Sequence, residues 1–259
     1  MITQKNIITA FFISILGIFF AAAVGTPEQK VPENPLPTPN ANVPPISMSL
    51  TKSARTAQEE YLTINTSPSR KGSYLITGWE LKNPRGGSYR LGEASSLPIQ
   101  GQINSEQPVL VPQGSTVVVS SGRSPIGVSF RINACSGYLA EHVFFTPKLS
   151  GTCPQAIDFI LPEELAGLEE SCRNYIRNLP SCHDPIVDPE INTFSPACQR
   201  LLSNKVNYNN CVSRLSSTNN FYKNEWRMYL GSTNKIWDSA IEVISLFDND
   251  GRLLGTISN

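Results

Sequence analysis

The residues of this chain best able to do chemistry are six cysteines, at 135, 153, 172, 182, 198 and 211, and two histidines, at 142 and 183. An even set of thiols has two ordinary uses, disulfides or a metal site. Structural zinc usually takes ligands in close pairs such as Cys-x-x-Cys. The closest cysteines here are Cys172 and Cys182, and His183 adds one ligand where a tetrahedral site needs four. Disulfides are therefore expected at Cys135, Cys153, Cys172, Cys182, Cys198 and Cys211, with no metal and no cofactor.

The histidines offer little more. His142, in Ala140-Glu141-His142-Val143, reads as a strand residue whose neighbour Glu141 faces the other way. His183-Asp184-Pro185 reads as a solvated loop. No Gly-x-Ser-x-Gly elbow occurs, and Ser121-Gly122-Arg123-Ser124 lacks that context. No glycine-rich phosphate loop is present. Asp248-Asn249-Asp250-Gly251 lacks the distal glutamate of a calcium loop and reads as a hairpin turn. The chain is expected to be non-enzymatic, with no catalytic residue. A facing pair of carboxylates is invisible to sequence. Glu163, Glu164, Glu169 and Glu170 could supply one wall of a cleft, so an extracytoplasmic hydrolase acting on envelope polymers or glycans is the alternative.

The cysteines must be held by helices. Leu161–Leu179 predicts one, with Pro162 and two glutamates at its start and an apolar stripe from Leu165 through Cys172 to Leu179. Ser195 predicts the cap of a second, with Pro196 at its first position, and Asn207–Asn210 interrupts it. An antiparallel hairpin of these two would pair Cys182 with Cys198 near the connection and Cys172 with Cys211 at the open end. That leaves Cys135 with Cys153, tying the insertion to its root.

The helices must in turn be carried by a β framework. Ile76–Asn83 alternates apolar and polar residues about Gly78, a bend or bulge that brings in Trp79 as a core anchor. Glu59–Ile64 predicts an earlier strand, Thr116–Val119 a buried β-branched one after a Pro112-Gln113-Gly114 turn, and Trp226–Leu230 another. Ile241–Phe247 and Arg252–Ile257 form the final hairpin. Several short strands separated by turns predict a mainly β sandwich or barrel. Arg123–Val128 is expected to be a turn, or else a recognition loop. Trp237 is expected to cover a sandwich edge, or else to face solvent and mark a binding spot.

In order and spacing, Glu60–Ile64, Thr77–Leu81, Leu110–Val119 and Ile244–Leu254 together resemble a lamin-tail domain. The resemblance covers about two-thirds of the exported part. It implies an immunoglobulin-like β-sandwich with an interaction role, and carries no catalytic residue across. Two departures stand out: Pro112-Gln113-Gly114 where a Pro-Gly pair is usual, and the long Cys153–Tyr222 segment, expected to be a disulfide-linked helical insertion.

The N-terminus speaks to compartment. After Lys5, Ile7–Val24 is free of charge over 18 residues, long for a signal core and close to the roughly 20 needed to span a bilayer. Ala21-Ala22-Ala23 would suit cleavage, so signal and anchor both stand, and in both Lys5 stays inside while the rest is exported. The expected organisation is an N-terminal hydrophobic helix within 1–25, a proline-rich linker over 26–57 and the sandwich over 58–259, with 153–222 as the insertion. With 21 basic and 21 acidic residues, no nucleic-acid footprint is expected. The functional expectation is an exported or membrane-anchored envelope protein, a single-pass chain with its C-terminal domain outside or a secreted one. Its partners would be the membrane, through the N-terminal helix, and an envelope protein or polymer.

Overall fold

A computed structural model describes residues 46–51, 53–68, 72–149, 153–237 and 243–258. The hydrophobic N-terminal segment and linker residues 26–45 lie outside that range. The described part is mainly β, with helices confined to the stretch between the eighth and ninth strands.

Alternation decides which faces are buried. In β2 (Tyr61–Thr66), Leu62, Ile64 and Thr66 point inward while the residues between them are half-exposed. It pairs antiparallel with β1 (Ile46–Leu50) on one side and β7 (Thr116–Ser120) on the other. β9 (Tyr222–Tyr229) runs parallel to β7, and β8 (Phe130–Asn133) pairs antiparallel with β9, completing a sheet of order β1-β2-β7-β9-β8. A parallel pair needs a long crossover, and the helical stretch supplies it.

A second sheet has the order β11-β10-β4-β5, from β4 (Glu80–Lys82), β5 (Ser88–Arg90), β10 (Val243–Phe247) and β11 (Leu253–Ser258). β3 (Ser73–Leu75) and β6 (Leu110–Pro112) form a small third one. All three sheets feed one buried cluster, including Leu62, Trp79, Val111, Trp226, Met228 and Leu246. The expected Trp79 anchor is thus in place, only 4 % exposed. Gly78 turns the chain into β4 with φ of +90°, and a Cβ there would lie 2.5 Å from Asn249 Oδ1. Trp237 is buried in the same cluster.

Glu60, fully buried, fixes the segment carrying Trp237. Its Oε2 accepts hydrogen bonds from Ser121 Oγ at 2.5 Å and Ile236 N at 2.6 Å. The carbonyl of Ile236 accepts in turn from Asn83 Nδ2 at 2.6 Å. Burial pushes the Glu60 carboxyl above its usual value, against these hydrogen bonds.

Three sequence expectations shift. Ile46–Leu50, within the expected 26–57 linker, is β1; Ile46, Met48 and Leu50 are half-buried and two intervening serines are exposed. The final hairpin turns through five residues, Asp248–Arg252, whose Asp248 Oδ1 accepts from the amides of Asp250 and Arg252. The first long helix is two, α2 (Pro162–Ala166) and α3 (Glu170–Asn178), broken after Gly167. α1 (Leu139–His142) precedes them, and α4 (Pro196–Lys205) and α5 (Tyr208–Leu215) follow. Ser195 caps α4 as expected, accepting from Cys198 N, and Asn207 caps α5 by accepting from Asn210 N.

All six cysteines are bonded, but not in the expected pairs: Cys135–Cys211, Cys153–Cys182 and Cys172–Cys198. The nested pairs Cys182–Cys198 and Cys172–Cys211, and the root pair Cys135–Cys153, assumed a hairpin with the end of one helix beside the start of the next. Instead the two starts meet. Glu169, just before α3, accepts from Ser195 N at 2.9 Å and Ser195 Oγ at 2.7 Å, just before α4. The first turns of α3 and α4 therefore lie together, which sets Cys172 against Cys198. Cys182 is free to fold back to Cys153, and Cys135 reaches Cys211 across 76 residues of sequence.

Candidate functional site

Both histidines converge on one loop. Cys182 turns with φ of +64°, and its disulfide to Cys153 packs on buried Gly137, where a Cβ would sit 2.2 Å from Cys182 Sγ. That contact brings the 182–188 loop against α1. His183 Nδ1 lies 2.9 Å from Glu141 Oε2 and its Nε2 lies 3.0 Å from Asp188 Oδ2. His142 Nε2 lies 3.0 Å from Asp184 Oδ2. A neutral imidazole carries one donor and one acceptor, so His183 donates to both carboxylates only when both ring nitrogens hold protons.

Neither histidine keeps its expected setting. His142 ends a short helix rather than sitting in a strand, and His183 is bracketed by carboxylates rather than solvated. Asp184 is buried, and its other oxygen accepts from Ile186 N at 3.1 Å. The sequence held a faint signal for this: both histidines have an acidic neighbour.

Asp188 links the cluster to a groove of about 480 Å³. Tyr175 Oη donates to Asp188 Oδ2 at 2.5 Å. That bond, then His183, holds the Asp188 carboxyl below its usual value, while burial pushes the Tyr175 phenol far above its own. One wall of the groove is the face of α3 bearing Ser171, Asn174, Tyr175 and Asn178, spaced as one side of a helix requires. Asp188, Glu190 and Phe194 line it from the other side, with Phe194 against the Tyr175 ring at 5.0 Å between centroids.

The glutamates considered as a cleft wall are occupied elsewhere. Glu164 accepts from Leu161 N and pairs with Lys205 at 3.1 Å, and Glu169 holds Ser195. Neither they nor Glu163 and Glu170 line the groove. Arg123–Val128 is a turn closed by Gly127 N on the Ser124 carbonyl, and part of it lines a smaller hollow of about 290 Å³. Among the described residues, one group has metal-ligand spacing, Glu169 with Cys172 and Cys198. Both sulfurs are consumed in a disulfide, so no thiolate is on offer. No helix among the described residues is long and apolar enough to cross a membrane.

Three disulfides suit folding in an oxidising compartment outside the cytoplasm. Comparisons with protein-family models, curated proteins and solved structures found no match to this chain.

Proposed function

We propose that this chain is an exported or membrane-anchored, non-enzymatic binding module of the cell envelope, with a lamin-tail-like, immunoglobulin-like sandwich presenting a helical recognition face. The hydrophobic N-terminal segment and proline-rich spacer, as read from sequence, would hold that face away from the bilayer. The single observation carrying the reading is that all three disulfides stabilise the one region that holds the groove. Covalent rigidity spent on a concave, polar surface is what preorganised recognition needs.

The hydrolase alternative fares worse at this groove. A general acid needs a carboxyl raised toward the working pH. Asp188 moves the opposite way, and the carboxyl raised among the described residues, Glu60, is buried and does not line the groove.

Cell fractionation with protease added to intact cells tests the reading, together with retention of the purified full chain on isolated envelopes. The expected result is a protease-accessible chain whose retention is lost on reduction. A cytoplasmic chain with titratable thiols, or no retention in the oxidised state, would overturn it.

A further inference from the structure

We infer that the groove between α3 and the 188–194 segment is a saccharide site that takes uncharged sugar rings. This rests on the binding-module reading and names the ligand class of that same groove. Its size falls in the range of about 300–1,000 Å³ typical of small-ligand sites.

Side-chain chemistry points to hydroxyl groups. Asn174 and Asn178 stand one turn apart on α3; Asn178 Nδ2 donates to the Asn174 carbonyl at 2.9 Å, which leaves its Oδ1 and second amide hydrogen, and the Asn174 amide hydrogens, for a ligand. Asp188 and Glu190 face them as acceptors. Paired donors and acceptors on opposite walls match the paired hydroxyls of a pyranose, which donate and accept together. The Tyr175 ring supplies a flat apolar surface for the C–H face of a sugar, and it is fixed by its own hydroxyl on Asp188 and by a tilted contact with Phe194.

Charge narrows the class. Among the described residues no lysine or arginine lines the groove, and Arg177 beside it donates to Asn174 Oδ1 at 3.3 Å, so little there would neutralise a uronate or a phosphate. Its two carboxylates, Asp188 and Glu190, repel anions, and Asp188 is already engaged by His183 and Tyr175. Peptides fit less well. Chain recognition uses an open strand edge or apolar pockets for anchor side chains. Among the described residues, the lining belongs to helical segments or the turns beside them, and apart from the Tyr175 ring only Leu179, Pro180 and Phe194 are apolar.

Titration calorimetry on the oxidised full chain tests this with four probes: tetramers of glucose, of N-acetylglucosamine and of a uronic acid, and an uncharged decapeptide. At least one neutral tetramer should bind, with the uronate about tenfold weaker or not at all. Asn174→Ala and Asn178→Ala should each weaken that binding about tenfold, the loss of one or two hydrogen bonds, and Asn178→Gln should recover part of it. Intact disulfide maps would show that these variants are folded. Failure of both neutral tetramers to bind, equal binding of the uronate, binding of the peptide alone, or indifference to both alanine variants would overturn the inference. Envelope retention separates the two levels: a chain still held by envelopes while no sugar binds loses its ligand class and keeps its binding role.

Discussion

The sheet cluster and the helical insertion hold together by different means. The first buries alternate faces of three sheets around Leu62, Trp79 and Trp226, crosses no disulfide, and is locked at one end by a buried carboxylate network at Glu60. The second is built from helices of four to ten residues, each too short to be stable alone. It is not short of apolar side chains, since Phe159, Ile176, Leu202 and Phe221 are all buried. What it lacks is a repeating hydrogen-bonded frame to fix their order. Crosslinks perform for the insertion the ordering that β-ladders perform for the sheets.

The largest expected effect comes from removing a crosslink. Cys135–Cys211 joins the end of β8 to α5 over a separation of 76, against 29 and 26 for the other two. Chain-entropy reasoning gives about 4.5 kcal/mol for the long bond and about 3.6 for each short one. Replacing Cys135 and Cys211 together by alanine should therefore unfold the insertion at markedly lower denaturant. All three tryptophans lie in the sheet cluster, so their fluorescence follows that region, while hydrogen exchange in α3–α5 follows the other. Two separated transitions would sharpen the contrast. A single shared transition in the double variant would break it, by showing that the sheets depend on the same bonds.

A smaller effect is expected at Gly137. A Cβ there would sit 2.2 Å from Cys182 Sγ and 2.7 Å from Cys182 Cβ, and a bonded sulfur cannot swing aside. Overpacking of this kind costs about 1–3 kcal/mol. Gly137→Ala should destabilise the insertion by that amount in denaturant titration and loosen the His183 contacts held by the same loop. Unchanged stability with an intact Cys153–Cys182 bond would show that the 182–188 loop has room to move.

The same division governs what was legible in the sequence. β-branched Thr116–Val119, the Gly78–Trp79 bend and the Ser195 cap are local signals, and each is found where expected. Pairings across long separations are not local. β1 carries no local mark, because Ile46, Met48 and Leu50 follow two prolines and make a strand only when β2 offers its edge. The parallel β7–β9 pair is closed by the whole helical stretch. The disulfide pairs turned on Gly167 breaking a helix and Glu169 reaching Ser195, a contact no spacing encodes. The histidine cluster was hidden for a like reason, because Glu141 and His183 meet only after Cys182 folds back to Cys153.

Acid should separate the two regions with the smallest effect and opposite signs. Glu60 is raised by burial above its unfolded value of 4.5. Its contribution to stability is complete below that value and is lost as pH climbs through the folded one. In the insertion, Asp188 is lowered by Tyr175, and Glu169 is lowered by Ser195. Their contributions are present above the unfolded values of 3.8 and 4.5, and disappear as pH falls through the depressed folded ones. Glu80, half-buried on β4, is lowered by Ser88 and shares the insertion's sign, so it works against the Glu60 response within the sheets. Between about pH 7 and pH 3, exchange in α3 and α4 should therefore accelerate relative to β2 and β7. Glu60→Gln mimics the protonated acid and should flatten the response of the sheets alone; Asp188→Asn should flatten that of the insertion alone. If either substitution altered both regions equally, the carboxyls would be acting on one cooperative unit, and the boundary between sheet and insertion would be architectural without being energetic.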